Sequence, residues 1–210
     1  MVWKNEQVSE GETGEILRWV RRVLGKDGTE VEGDLVELGC YKGDTSLMLA
    51  EVLRDYNRGG VVENSVEKPV KKLWIYDSFE GLPEKSNRDE SALGVNFQKG
   101  ALSVTKREVK ERFLRAGLPV PVIKKGWFAD LTEADMPERI ALAFLDGDLY
   151  ESVSDSLRLV GAKMAKDGVI LVHDYYNPAL PGVARAVDEW LKGRGLDLQF
   201  RESLVIVTGF

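Results

Sequence analysis

The sequence predicts an α/β protein: a mostly parallel, seven-stranded sheet with helices on both faces and an antiparallel strand at its carboxyl-terminal end. Three observations predict it. Short apolar runs such as Leu35–Leu38, Leu73–Tyr76, Ile140–Leu145 and Val169–Val172 are unbroken rather than alternating, the pattern of strands buried on both sides. Stretches with apolar residues at helical spacing separate most of them, giving the order β-α-β-α-β-β-α-β-α-β-β. The polar residues able to carry chemistry fall at the carboxyl ends of the runs, where open α/β sheets bind ligands.

The elements follow in order. Ile16, Leu17, Val20, Val23 and Leu24 mark a leading helix over Glu10–Leu24, ended by Gly25 and Gly28 and expected to cover one sheet edge. Residues 1–30 are this leading helical segment. Leu35–Leu38 is the first strand. Gly39-Cys40-Tyr41-Lys42-Gly43 turns the chain into a helix reaching about Tyr56, with Asp44 or Thr45 as its N-cap. Glycines let backbone approach a ligand closely, although a tight strand-to-helix turn needs them equally. Asn57–Lys72 reads as a polar surface loop. Leu73–Tyr76 is the second strand, with Asp77 at its end, where an acid either holds ribose hydroxyls or makes a simple turn.

The aperiodic stretch 78–103 is long for a compact domain. Phe79, Leu82 and Phe97 give it apolar docking points, so it reads as a mobile lid. Thr105–Ala116 is helical and stopped by Gly117-Leu118-Pro119. Pro121–Lys124 is the third strand, followed by Gly126-Trp127-Phe128, an aromatic pair suited to a purine ring or to ordinary core. Ile140–Leu145 is the fourth strand and runs straight into Asp146-Gly147-Asp148. The two carboxylates are either site residues or part of a solvated turn, Asp148 being a cap for a helix over Glu151–Met164 or a general base. Asp167-Gly168 turns into the fifth strand, Val169–Val172, which ends at His173-Asp174. A helix over Gly182–Lys192 and two strands, Leu196–Arg201 and Leu204–Thr208, complete the chain.

Composition narrows the classes. The 210 residues, 43% hydrophobic and 30% charged, suffice for one domain, 1–210, with a full core. A net charge of −6 argues against nucleic acid and against an anionic membrane, and no apolar run approaches the ~20 residues of a membrane span. One cysteine and the absence of a signal-like start at Met1 fit a cytoplasmic protein without disulfides. With one Cys and one His, a metal site must be mostly oxygen, which favours Mg²⁺, Mn²⁺ or Ca²⁺.

Five ordered motifs, Val36–Ser46, Ile75–Pro83, Lys125–Phe128, Leu145–Ser152 and His173–Tyr175 followed by Pro181–Trp190, resemble the macrocin O-methyltransferase family. A more distant likeness is to catechol O-methyltransferase. The resemblance implies a Rossmann-like class I methyltransferase fold. It also implies S-adenosyl-L-methionine as cofactor, Mg²⁺ (or Mn²⁺), and a small-molecule hydroxyl acceptor such as a natural-product sugar; it is compatible with a homodimer. Glu37, Gly39 and Gly43 would shape the loop at the methionine part, with Tyr41 and Thr45 close by. Asp77 would hold the ribose, with Ser78 adjacent, and Gly126, Trp127 and Phe128 would meet the adenine. Asp146, also beside the cofactor, would ligate the metal with Asp174 and the residue before it, His173. Tyr175, Tyr176 and Asn177 would belong to the acceptor pocket.

The family usually has two aspartates where this chain has His173-Asp174. His173 could ligate a softer ion, accept the proton, or be a satisfied core residue. The segment before the first strand is also short for the family. Competing readings are a nicotinamide-dependent oxidoreductase, disfavoured because Gly39–Gly43 is not G-x-G-x-x-G, and a non-catalytic protein with a retained cofactor fold.

Overall fold

The computed structural model describes residues 7–26, 30–59, 70–95 and 97–210. Gly28 and most of the Asn57–Lys72 loop lie outside the described residues. The strands are β1 (Asp34–Leu38), β2 (Leu73–Asp77), β3 (Val122–Lys125), β4 (Ile140–Leu145), β5 (Met164–Val172), β6 (Asp197–Arg201) and β7 (Leu204–Thr208). They form one sheet in the order β3-β2-β1-β4-β5-β7-β6. The first five are parallel, β7 is antiparallel to β5, and β6 pairs antiparallel with β7 at the edge. The chain crosses from β1 outward through β2 to β3, then returns to β4 on the other side of β1. The boundary between β1 and β4 is therefore the topological switch point, where such sheets open a crevice.

The inner strands are mostly apolar because both faces are covered, whereas the edge strands β3 and β6 carry exposed polar residues. On one face α1 (Glu10–Val23), α2 (Asp44–Gly59) and α3 (Lys106–Arg115) bury Ile16, Leu47, Leu49, Val109 and Phe113 against Leu142, Phe144 and Leu171. On the other, α4 (Tyr150–Gly161) and α5 (Pro181–Leu191) bury Val153, Leu157, Val183 and Val187 against Ala143, Leu145 and Ile170. Adjacent residues of β4 thus serve opposite layers, as the two-residue strand period requires.

Four expectations need correction. The leading helix does not cover a sheet edge. Its Trp19, Val20 and Val23 lie on the face over the centre of the sheet, and Ser203 at the β6–β7 turn meets its first turn. It ends at Gly25, whose φ of 78° closes a Schellman motif: Gly25 N–H bonds Arg22 C=O at 2.9 Å and Lys26 N–H bonds Arg21 C=O at 3.0 Å. Second, α2 is not capped by Asp44 or Thr45. It starts one residue after Gly43, whose carbonyl accepts from Leu47 N–H at 2.9 Å, and it includes Asn57. Third, Met164 opens β5 rather than closing α4; exposed Lys166 and Asp167 interrupt a strand that shifts register against β4 between Ile140 and Leu142.

Fourth, Asp148 does not cap α4. The N-cap is Leu149, with no side-chain bond of its own. The buried carboxylate of Asp89, in a short 3₁₀ turn Asn87–Asp89, accepts from Tyr150 N–H at 2.7 Å instead. Its other oxygen accepts from Ser86 N–H and Oγ at 3.0 and 2.8 Å. The segment 78–103 is further tied down by Leu82 N–H to Ala101 C=O at 2.8 Å and Ser91 Oγ to Pro178 C=O at 2.8 Å. Phe79 and Leu82 are buried and Phe97 packs partly, as their apolar character predicts.

Candidate active site

The crevice forms where β1 and β4 part. Gly39 follows β1 with φ 88°, and a Cβ there would lie 2.1 Å from the Asp146 carbonyl, so only glycine lets the two strand ends come this close. Asp146 N–H bonds Leu38 C=O at 2.9 Å and Gly39 N–H bonds Tyr76 C=O at 2.9 Å, extending the sheet into the floor of the site. The cavity above encloses about 710 Å³, open solvent at its mouth included. That is within the range of small-molecule sites.

All five strand ends reach it. Gly39 and Tyr41 line it from β1, Asp77 and Ser78 from β2, and Gly126, Trp127 and Phe128 from β3. Asp146 and Asp148 line it from β4, and His173 and Asp174 from β5. Leu82, Pro83 and Leu102 of the 78–103 segment form a side wall. Three expected residues are not on the wall. Glu37 lies buried beneath the loop, where its carboxylate takes the Ser46 hydroxyl. Gly43 faces Val109, and Thr45 is buried in the first turn of α2. Tyr175, Tyr176 and Asn177 do not line the cavity either. Tyr175 donates its hydroxyl to Asp188 at 2.7 Å and stacks with Tyr176 and Phe200, while Asn177 donates its side-chain amide to Asp174 at 2.9 Å.

Asp77 organises the cofactor-loop side. One oxygen accepts the N–H groups of Cys40 and Tyr41 at 2.9 and 3.3 Å, the other that of Phe79 at 2.7 Å. A carboxylate has about four lone-pair sites, so Asp77 keeps room for about one more donor. Ser78 turns back on its own loop, donating to Gly81 C=O at 3.1 Å. The Cys40 thiol is pushed well up by burial, then by the charges of Asp77 and Glu37, which makes it a poor nucleophile. Burial likewise raises the Glu37 carboxyl to about 8, against the Ser46 bond and with the added repulsion of Asp146.

On the other side three side chains converge. His173 Nδ1 lies 3.0 Å from Asp146 Oδ1 and 3.2 Å from Asp174 Oδ2. One donor atom from each residue falls within 4.8 Å of the others. An octahedral ion with bonds near 2.1 Å separates adjacent ligands by about 3 Å, so this trio fits a divalent cation such as Mg²⁺ or Mn²⁺. His173 also meets a residue the sequence reading missed: Glu12 Oε2 of α1, 3.4 Å from Nε2. Burial opposes charge on the imidazole, but the charge of Asp146 and the bonds to Asp146, Asp174 and Glu12 raise its pKa far above the ordinary value. Burial alone would raise Glu12, yet His173, Ser203 and Ser9 hold it well below the usual carboxylate range. Asp148 is pushed well up by burial, then by the charges of Asp146 and Asp174.

Backbone strain gathers at the same place. Tyr41, Leu102, Asp148 and Asp174 line the cavity with φ between 44° and 62°, and Phe79 (56°) sits beside it. Such conformations cost on the order of 1 kcal/mol each and collect where geometry matters more than ease.

A central β1/β4 crevice, a glycine turn after β1, an acid after β2 and an antiparallel last strand define a Rossmann-like class I methyltransferase fold. The solved calicheamicin methyltransferase CalS11 shares it at a TM-score of 0.74 with 19% identity, covering 96% of this chain and 80% of that one. The chain belongs to the macrocin O-methyltransferase family, whose model matches residues 18–203. The solved O-methyltransferase NovP superposes with a TM-score of 0.75 at 27% identity, over 93% of this chain and 78% of that one. Among curated relatives, the 8-demethyl-8-(2,3-dimethoxy-alpha-L-rhamnosyl)-tetracenomycin-C 4'-O-methyltransferase of Streptomyces olivaceus is 32% identical over 150 residues, 69% of this chain and 54% of the relative. The demethyldecarbamoylnovobiocin O-methyltransferase of Streptomyces niveus is 30% identical over 168 residues, 78% of this chain and 60% of the relative. The chain thus spans between half and two thirds of the length of these relatives. No helix among the described residues is long and apolar enough to cross a membrane.

Proposed function

We propose that the chain is an S-adenosylmethionine-dependent, divalent-metal-assisted O-methyltransferase acting on a hydroxyl of a small molecule, a sugar of a natural product. The observation that carries the reading is the Asp146, His173 and Asp174 trio standing in the same cavity as the Gly39–Tyr41 loop and Asp77. A hard-cation site and a nucleoside-type site share one enclosure, which is what bringing a methyl donor up to an ion-held oxygen requires. Membership of the macrocin O-methyltransferase family supports the same chemistry. So do the rhamnosyl and novobiocin substrates named for the relatives.

When bound, S-adenosylmethionine supplies the methyl group, and a divalent ion lowers the pKa of the acceptor hydroxyl and fixes its oxygen. The chain does the rest. Asp77 would receive a ribose hydroxyl with its remaining lone pair, and Trp127 and Phe128 would flank the adenine. Tyr41 and the backbone at Gly39 border the methionine part. Asp146, His173 and Asp174 hold the cation, and Asp148 receives the acceptor proton. Asp148 is given this role because it lines the cavity and caps no helix. Leu82, Pro83 and Leu102 keep water out, and the segment that carries them acts as the lid.

The decisive experiment is turnover of a library of glycosides with Mg²⁺ or Mn²⁺, with and without chelator, beside titrations with S-adenosylhomocysteine and NADH. Metal-stimulated methylation, with binding of S-adenosylhomocysteine and none of NADH, is expected. Full activity of Asp146→Ala in chelator would remove the metal from the mechanism. No methylation of any hydroxyl would favour a non-catalytic role.

A further inference from the structure

We propose that Glu12 is a positioning residue for the Asp146–His173–Asp174 centre: its carboxylate holds the Nε2 edge of His173, so that Nδ1 is the ring nitrogen turned into the gap between the two aspartates. The inference rests on the reading of that trio as a cation site and adds a residue from outside the strand ends.

An imidazole offers two nitrogens in different directions, and turning the ring by half a turn about Cβ–Cγ puts carbons, Cδ2 and Cε1, where those nitrogens stood. In this chain the two edges face different surroundings. Nδ1 faces Asp146 at 3.0 Å and Asp174 at 3.2 Å, while Nε2 faces Glu12 at 3.4 Å. An ionised carboxylate only accepts, so in the metal-free chain each ring nitrogen turns a proton to the carboxylates it faces, and an ion in the gap between Asp146 and Asp174 would replace only the proton on Nδ1. Metal-ligating histidines are commonly fixed this way: the nitrogen away from the ion donates to a carboxylate, which sets both tautomer and ring orientation.

Glu12 is itself held from three directions. Its Oε1 accepts Ser203 N–H at 3.0 Å and Ser203 Oγ at 2.5 Å, and its Oε2 accepts Ser9 N–H at 3.0 Å. The Ser9 bond is half of a capping box, a feature that helix starts form on open surfaces without further partners. Capping does not require burial, yet Glu12 is only 4% exposed, closed in beneath the β6–β7 turn and against the end of β5. The side chain therefore serves two purposes. It closes the first turn of α1, and it ties that turn and the β6–β7 hairpin to one edge of His173. Gln7, three residues before the first helical turn, also lines the cavity, so the chain entering α1 already borders the site.

His173 is the chain's one histidine, so ¹⁵N-histidine labelling reports on this ring alone. In metal-free wild-type protein, a slowly exchanging ring proton coupled to Nε2 is expected. Glu12→Gln, whose amide can donate where the carboxylate could only accept, should lose or shift that resonance. It should also weaken Mn²⁺ binding by calorimetry about 10- to 100-fold. Ser9→Ala breaks the capping box from the other side and should keep wild-type ring resonances and Mn²⁺ affinity. Ser203→Ala slackens the carboxylate without touching the cap and should move both readouts part of the way, which keeps the test open should Glu12→Gln fail to fold. Unchanged ring resonances in Glu12→Gln, or Ser9→Ala reproducing its losses, would overturn the proposal. If the wild-type protein takes up no Mn²⁺, the cation reading falls, while the metal-free resonances still decide whether Glu12 holds Nε2.

Discussion

Asp148 shows how a single residue's backbone reveals its use. Its φ of 60° is tolerated by aspartate but not favoured, and its side chain lines the cavity while Asp89 caps the neighbouring helix. Asp148→Asn keeps the shape and removes the proposed base. Turnover should fall about 10²- to 10⁴-fold with an unchanged melting temperature; a proportional drop in stability would return Asp148 to a structural role. Asp77→Ala should weaken S-adenosylhomocysteine binding and also loosen the Cys40–Tyr41 turn, since three backbone N–H groups lose their acceptor. Asp174→Ala should leave that affinity nearly intact and abolish metal stimulation. Glu37 governs a pH effect. Its proton is held to about pH 8 in the folded chain but leaves near 4.5 in the unfolded one. Between those values the folded state binds the extra proton, so this contribution to stability is complete below about 4.5 and is lost as pH rises toward 8. Melting curves of Glu37→Gln and wild type should therefore diverge in favour of the variant as pH rises; parallel curves would show that Glu37 is ionised in the fold. Most of these side chains were legible because each ends an apolar run. Glu12 was not. Ser9-x-x-Glu12 reads as a helix start, and nothing in its spacing says that the start lies across the end of a strand 160 residues away.

At the scale of elements, the strands between residues 34 and 145 were readable from apolar runs, with ends within about a residue; for β1, β2 and β4 burial on both faces leaves no alternation to misread. β5 was half concealed. After buried Met164 and Ala165 it carries exposed Lys166 and Asp167 at a register shift, and a solvated bulge has the composition of a turn. The cap of α4 was misassigned for a related reason: local spacing nominates Asp148, whereas the acceptor comes from Asp89, 61 residues earlier. Asp89→Ala should leave the Tyr150 N–H and the Ser86 pair without their acceptor and cost about 1–2 kcal/mol. Urea unfolding measures the loss, and amide exchange in the first turn of α4 should quicken. Wild-type exchange there would mean that another group satisfies the helix end.

The molecule as a whole is a sheet with two apolar layers, and β4 is common to both. Phe144 is fully buried in the layer under α1 and α2. Phe144→Ala should cost about 3–5 kcal/mol in denaturant unfolding; a loss below 1 kcal/mol would indicate a layer able to collapse. The parallel order was legible from alternating runs and helices because few topologies satisfy short right-handed crossovers. Which layer α1 joins was not, since an amphipathic helix at a terminus fits an edge or a face equally well by pattern. Its place over the centre of the sheet is set by Trp19 and by the contact of its first turn with the β6–β7 hairpin.

The reach of Asp89 into α4 also bears on domain engineering. Acceptor range in such folds invites loop grafting, with 78–103 exchanged between relatives as though it were a cassette. In this chain the cassette is not separable, because it carries the N-terminal stop of the helix that follows β4. A graft that lacks an acid at position 89 brings its new specificity together with a frayed α4. Restoring that one carboxylate, or giving position 149 a capping serine, is the repair a chimera would need first.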